Sequence, residues 1–443
     1  MSQISRRHFL PTAAVGLSSI ARARGAMRII DVEVHEILPP YHDYNAKFLS
    51  RYHGRGVQIR TIYIVKTDAG LEGLGEVWGP GERFGRFEHY IGSDPFDWVA
   101  SNDSLPMNMA MYDLMGKYLG IPAWKLLGPK VRDWAPVAAW TVSQPPDALA
   151  AEVRSVAARG YRWLKYHVDP FQNVLDQTEA MQKAAPPGFK IHYDFNANSD
   201  LVVMLPILTE LEKFPIAGRF EDPLRGTDRE GYRILRGKCR LPLLVHHAAI
   251  EEYMIEHLVD GVMGGHSPLG LSMKYEAIAE ATSIPFFLQQ CGGTINQAFS
   301  LHEAAVFRMA TLPQVNLCHL WKDDVTVESM PVVKGSVQVP NKPGLGITID
   351  RRKLETYSKI HISRQPRFLV RMRYHGGPYI YFRRDPDKPG PAMPNLDTGR
   401  FPGPVPGYAN AVITDFWEDD GTSEFQRLWN LTESGVTWTE ARS

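Results

Sequence analysis

From Val137 onward the chain repeats one rhythm. Short apolar runs alternate with stretches of helical spacing, and each run starts roughly 20–30 residues after the last, the interval that repeated βα units require. The runs are Trp163–His167, Lys190–Asp194, Gly218–Glu221, Leu241–His246, Gly261–Met263, Pro285–Leu288 and Val315–Cys318. Seven or eight such units close a barrel. The 443 residues exceed what one compact core usually holds, so a second structural unit is expected beside the barrel.

That second unit reads as the α+β segment ahead of Val137. Ile30–Ile37 alternates as a strand. Arg60–Thr67 and Leu71–Glu76 form a hairpin about Asp68-Ala69-Gly70. Met107, Met111, Leu114, Met115 and Tyr118 recur at helical spacing between Pro106 and Leu127 and belong to a core. Between strand and hairpin runs a polar, aromatic loop with Tyr41, His42, Arg51 and Arg55, which either closes over a substrate or is simply solvated.

Composition narrows the partners. Lys plus Arg equals Asp plus Glu at 49 each, so no basic excess is present to displace counterions from nucleic acid. No segment beyond the leader is long and apolar enough to cross a bilayer. A small molecule is the expected partner. The three cysteines, Cys239, Cys291 and Cys318, form no CxxC pair, which argues against a disulfide framework or a structural zinc site. At the start, Arg6-Arg7 precedes Phe9-Leu10 and a small-residue stretch to Ala23. That order resembles a twin-arginine export signal and predicts a periplasmic protein. A true start at Met27 would predict a cytoplasmic one.

The chemistry lies at the ends of the runs. Lys165 and His167 end one, Asp194 the next, Glu221 the third, and His247 follows the fourth. Asp194 and Glu221 are 27 residues apart, and Glu221 and His247 are 26 apart, one barrel unit per step. Consecutive parallel strands bring such residues to one C-terminal rim, where barrel enzymes carry their sites. Carboxylates there suit a divalent cation. Lys165 and His167 are two apart on a strand and point the same way, into the barrel. Protonatable groups beside a metal are what proton abstraction next to a carboxylate needs. The plainer alternative makes Asp194, Glu221 and Lys165 members of rim salt bridges, and His246 or His247 a rim hydrogen-bonder; the regular spacing favours the site.

Several segments together resemble the mandelate racemase/muconate lactonizing branch of the enolase superfamily, over about Met27 to Leu354. They are the hairpin Thr67 to Glu76, the stretch Met109 to Lys117 continuing through Gly120-Ile121-Pro122 to Gly128, and Gly335 to Pro340 followed by Pro343 to Ile347. The resemblance implies an α/β fold: a modified (β/α)7β TIM-type barrel with an N-terminal α+β capping domain and a C-terminal extension. The expected division is a leader at 1–26, a capping domain at 27–136, a barrel at 137–345, and a segment at 346–443 that returns to the cap. It also implies Lys165-Tyr166-His167 as the base motif. Asp194 and Asn196 answer to the family's Asp-x-Asn motif, with Asp194 on the metal and Asn196 towards substrate, and Glu221 to its Glu-Asp-Pro metal motif.

There are departures. The family's third ligand is an acid, and His247 stands there. The resemblance implies Mg²⁺, whereas an imidazole ligand favours Mn²⁺, Fe²⁺ or Zn²⁺. The family's His–Asp dyad on the sixth and seventh strands has no counterpart in Met263 to Pro268 or Leu288 to Thr294, although His266 lies in the first of these. Lys165 and His167 are therefore the expected base face. The expected activity is dehydration of a sugar acid, with His167 or His266 as the acid. An epimerase, a cycloisomerase and a non-catalytic descendant acting as a binding protein are the alternatives.

After Leu354 the resemblance fades. Arg367–Tyr374 and Tyr379–Arg383 read as a hairpin, and Asp385 to Gly407 is rich in Pro and Gly. An extended arm of that kind suits a contact in a homo-oligomer, or a strap over its own barrel.

Overall fold

Residues 27–53, 58–81, 87–169, 171–361, 367–374, 378–384, 408–409 and 412–439 are described by a computed structural model. The leader, Arg55 and the Pro/Gly-rich stretch from Asp385 to Gly407 lie outside these residues, as does the side chain of Arg51.

The first unit is a three-stranded antiparallel sheet, β1 (Ile29–Ile37), β2 (Arg60–Thr67) and β3 (Glu72–Trp78), in that order. Helix α1 (Asp43–His53) interrupts it, and α2 (Leu105–Leu119) covers it. Every residue of α2 from Leu105 to Gly116 is buried, so the helix behaves as core rather than as an amphipathic surface element. It can lie this close because β3 carries two glycines. A Cβ on Gly73 would stand 2.3 Å from the carbonyl oxygen of Ala110, and one on Gly75 would stand 2.1 Å from that of Pro106. Gly120, at φ 69°, ends the helix, and α3 (Trp124–Leu127) follows. The single helix expected from Pro106 to Leu127 is thus two, because the left-handed turn at Gly120 breaks it.

The second unit is the barrel. Strands β4 (Trp134–Thr141), β5 (Trp163–His167), β6 (Lys190–Asp194), β7 (Ala217–Glu221), β8 (Leu243–Val245), β9 (Gly261–Met263) and β10 (Phe286–Phe287) pair in parallel, each with the next. Strand β11 (Gln314–Val315) pairs with β4, and a parallel bridge between Gln289 and Val315 joins it to the end of β10. The eight strands therefore form a closed ring. Helices α4 (Pro146–Ala158), α5 (Val174–Ala184), α6 (Leu201–Leu211), α7 (Arg229–Lys238), α8 (Ile250–Ile255), α9 (Leu269–Thr282) and α10 (Thr294–Val306) connect the first seven strands to their successors. This is the barrel the spacing predicts, in the (β/α)7β form the resemblance implies, with the α+β cap in front of it. Asn173, Asp200 and Asp228 cap the helices that follow β5, β6 and β7, each satisfying first-turn amides just past the strand ends. The short β12 (Ser336–Gln338) runs antiparallel to the start of β4.

The chain then returns to the cap. Helix α11 (Arg351–Ser358) lies against β1, with Arg351 2.9 Å from Glu33 and 2.5 Å from Glu72. A four-stranded antiparallel sheet follows, ordered β15 (Val412–Glu418), β13 (Phe368–Tyr374), β14 (Tyr379–Arg384), β16 (Thr437–Thr439), with α12 (Ser423–Leu431) beside it. The expected hairpin is β13–β14; the other two strands and the helix went unread. No helix among the described residues is long and apolar enough to cross a membrane.

Candidate active site

Register places the side chains. Lys165 pairs with His192 and His167 with Asp194; His192 in turn pairs with Arg219, and Asp194 with Glu221. Residues two apart on a strand share a face, so three neighbouring strands present two tiers. The upper tier holds His167, Asp194 and Glu221. The lower holds Lys165, His192 and Arg219. Acids at the rim thus rest on nitrogen bases one step deeper.

Contacts between the tiers are short. Lys165 Nζ stands 2.8 Å from Glu221 Oε1, 3.0 Å from Asp194 Oδ2 and 2.7 Å from Gln289 Oε1. The Arg219 Nε–H donates to His192 Nδ1 at 3.0 Å, so a neutral His192 carries its proton on Nε2. That nitrogen lies 2.7 Å from Glu221 Oε2. His167 packs edge-on against Trp140, ring centroids 4.9 Å apart, with Nε2 3.4 Å from Asp194 Oδ2.

Electrostatics follow from burial and these partners. Burial opposes the charge of Lys165, but Asp194 and Glu221 outweigh it and hold the ammonium above its usual range. Burial likewise opposes ionisation of Glu221, and Lys165 with His192 overcomes it, so that carboxyl sits far below its ordinary value. His192 is pushed down to about 3 by burial and by Arg219. Burial also lowers His167, against the pull of Asp194.

The expected residues do not all converge. Asp194 and Glu221 meet, but their third partner is Asp222, the middle residue of Glu221-Asp222-Pro223. One oxygen from each lies within 4.8 Å of the others, all three residues buried. His247 stands outside this group. Its Nδ1 is 2.6 Å from Asp222 Oδ2, and with His246 it forms a separate O,N,N cluster through that carboxylate. The physical reason is strand length: β8 ends at Val245, so the backbone of residues 246–247 has already turned, its amides donating to Asp222. A Cβ on Gly226 would lie 1.8 Å from the His247 carbonyl oxygen, so that glycine lets the β7 loop cross close to this turn. Asn196, at φ 54°, folds back: its amide donates to Asp194 Oδ1 at 2.9 Å and its Nδ2 to the Asp194 carbonyl at 3.3 Å. It orients Asp194. His266 follows β9, four strands round the ring from β5, with Nε2 3.8 Å from Cys291 Sγ. In the cap loop, Tyr41 stacks on Trp321 and His42 Nε2 meets Arg159 at 2.6 Å.

Asp222, His192, Arg219 and Gln289 escaped the sequence reading. The signal for two of them was present: His192 and Arg219 stand two residues before Asp194 and Glu221, as Lys165 does before His167.

The donor set fits a divalent cation. Two buried carboxylates face the Lys165 ammonium and a third, Asp222, stands beside them, and hard oxygen donors in that number suit Mg²⁺ or Mn²⁺. Asp222 is pushed up to about 6 by burial and by the charges of Glu221 and Asp194, despite its hydrogen bond to His247.

Residues 148–353 match the family pattern described as "Enolase C-terminal domain-like". A D-gluconate dehydratase from Thermoproteus tenax is 27% identical over 337 residues, which make up 65% of this chain and 65% of that one; the chain thus spans just under two thirds of that relative's length. A D-galactonate dehydratase from Xanthomonas oryzae pv. oryzae is 25% identical over 275 residues, 56% of this chain and 72% of the other. A solved enolase from Thermobispora bispora, complexed with magnesium and formate, superposes with a TM-score of 0.62 at 21% identity, over 75% of this chain and 93% of its own.

Proposed function

The chain belongs to the enolase superfamily, and from that premise we propose that it removes the proton alpha to the carboxylate of a sugar acid and expels a neighbouring hydroxyl. The observation that carries this reading is the meeting of Lys165 with Asp194 and Glu221 at the ends of three adjacent strands, at 2.8 to 3.0 Å. Two relatives named as dehydratases of D-gluconate and D-galactonate support a hydro-lyase.

Asp194, Glu221 and Asp222 would hold the divalent cation, Mg²⁺ in the first instance. Such a cation supplies a positive field that offsets charge developing on the substrate carboxylate. Lys165 and His167 hold and move the proton on one face. The C–H bond breaks towards them, the C–O bond of the adjacent hydroxyl breaks, and the hydroxyl leaves with a proton as water. His266, on the opposite wall, supports the role of donor to that hydroxyl. The enol that results becomes a 2-keto acid. The twin-arginine leader supports a periplasmic setting for this activity.

The test joins metal analysis to turnover. Wild type is expected to hold about one divalent ion per chain, Asp194→Asn to lose it, and Lys165→Met to keep the ion while losing release of 2-keto acid from D-gluconate, D-galactonate or related acids. A wild type that binds no divalent ion under any condition overturns the reading and leaves a non-catalytic descendant.

A further inference from the structure

The family pattern ends at residue 353, ahead of β13 to β16. The sheet they form is nevertheless docked on the two segments that border the barrel mouth. One is the loop leaving β5 directly after His167. Its Phe171 is buried among Phe368, Val370, Met372 and Ile380. Thr414 of β15 donates its hydroxyl to the Phe171 carbonyl, and Gln172 Nε2 donates to the Thr414 carbonyl at 3.0 Å. Where the loop enters α5, the Val174 amide donates to the Tyr408 carbonyl at 2.8 Å. The Tyr408 ring packs edge-on to Phe195, centroids 5.3 Å apart, and Phe195 separates Asp194 from Asn196. The other bordering segment is α1, whose Phe48 meets Phe416 of β15 at 6.2 Å.

The loop is held from the barrel side too. The Val168 amide donates to the Asp194 carbonyl at 2.7 Å, and the Phe171 amide to Asp169 Oδ1 at 2.9 Å. A short loop tied at both ends, with the Phe171 side chain drawn into a separate sheet, has few conformations left. Strand β15, whose Thr414 bonds the Phe171 carbonyl, also braces α1 through Phe416.

We propose that the C-terminal sheet is a working wall of the active-site mouth: through Thr414 and Phe416 it fixes the loop behind His167 and the helix α1 in one arrangement, and so sets how an acid sugar is held. Thr414, Phe416 and Tyr408 are positioning residues. The mechanical part of this stands by itself, and its effect on substrate rests on the dehydratase reading.

Amide exchange and steady-state kinetics on the full chain test it, with Thr414→Val, Thr414→Ser and Phe416→Ala. Loss of the hydroxyl in Thr414→Val is expected to speed exchange across residues 168–174 about fivefold to tenfold, and Phe416→Ala to do the same across residues 43–53, with β5 to β7 unchanged. Thr414→Ser restores the slow exchange. On the acid sugar that wild type turns over, both disruptive variants raise KM about fivefold or more while kcat falls less than about twofold. Unchanged exchange in both segments, or faster exchange throughout the barrel, overturns the proposal, as does a fall in kcat at constant KM. Exchange needs no substrate, so failure of the dehydratase reading leaves that arm decisive.

Discussion

Two buried charge clusters sit at the same end of the barrel and are built on opposite principles. At the junction with the cap, Arg60 Nε lies 3.0 Å from Glu76 and its guanidinium also meets Asp324, while its plane covers Trp321 at 4.6 Å. The two carboxylates are completed by backbone: Glu76 accepts from the amides of Gly293 and Asn296, and Asp324 from Thr294. In the mouth, Asp194 and Glu221 share Lys165, while Asp222 beside them meets His247 and is pushed up to about 6 by burial and its like-charged neighbours. The first cluster is closed and ties cap to barrel. In the second, one oxygen from each of three acids lies within 4.8 Å of the others, close enough to meet at a single point. Buried ions alone do not mark a site; carboxylate oxygens that converge on one point do.

The comparison breaks first at Arg60. Arg60→Met leaves two buried acids facing each other and is expected to cost about 3–5 kcal/mol of stability, read by denaturant midpoint. Next, Asp194→Asn should weaken divalent binding at least about a hundredfold, roughly 2.7 kcal/mol, while leaving the metal-free protein as stable or slightly more so, because it relieves repulsion. A metal-free Asp194→Asn that unfolds like Arg60→Met would erase the distinction. His247→Ala then sharpens the ligand set: with its imidazole on Asp222 rather than among Asp194 and Glu221, Mg²⁺ affinity by calorimetry should fall about tenfold, less than for Asp194→Asn.

The smallest effect concerns a buried acid partnered by a side-chain amide. Burial lifts Glu303 on α10 to about 8, against a hydrogen bond from Gln290. Between its ordinary value of 4.5 and 8 the folded chain keeps a proton that the unfolded chain has released. Its stability contribution is therefore full below 4.5 and is lost as pH rises towards 8. Glu303→Gln should gain on wild type by about 1 kcal/mol or more between pH 5 and pH 8; a gain independent of pH would mean the carboxyl is already ionised at pH 5.

The barrel was legible because its evidence is periodic. Each run ends in a residue whose partner lies one unit away, and Asp194 and Glu221 meet as their spacing predicts. Asp222 was missed because alternation alone points it away from Glu221; its φ of 47° turns the chain so that both acids reach the same place. The same kind of irregularity moved His247 outward. Strand period says where a side chain points only while the strand lasts. The C-terminal sheet was half legible: hairpin β13–β14 has a turn signal, but its pairing with β15 and β16 bridges residues far apart in sequence, which no local pattern carries.

Helix α11 has a consequence for how the molecule comes into being. Arg351 closes on Glu33 across 318 residues, so the ion pairs that tie α11 to β1 cannot form until nearly the whole barrel has been made. The first-built strand is among the last to gain its ion-pair partners. During synthesis its edge stays open to misplaced strands, and folding should be slow and late for a chain of this length. Helper proteins that shield that edge, rather than any that hasten barrel closure, would be expected to raise the yield of native protein.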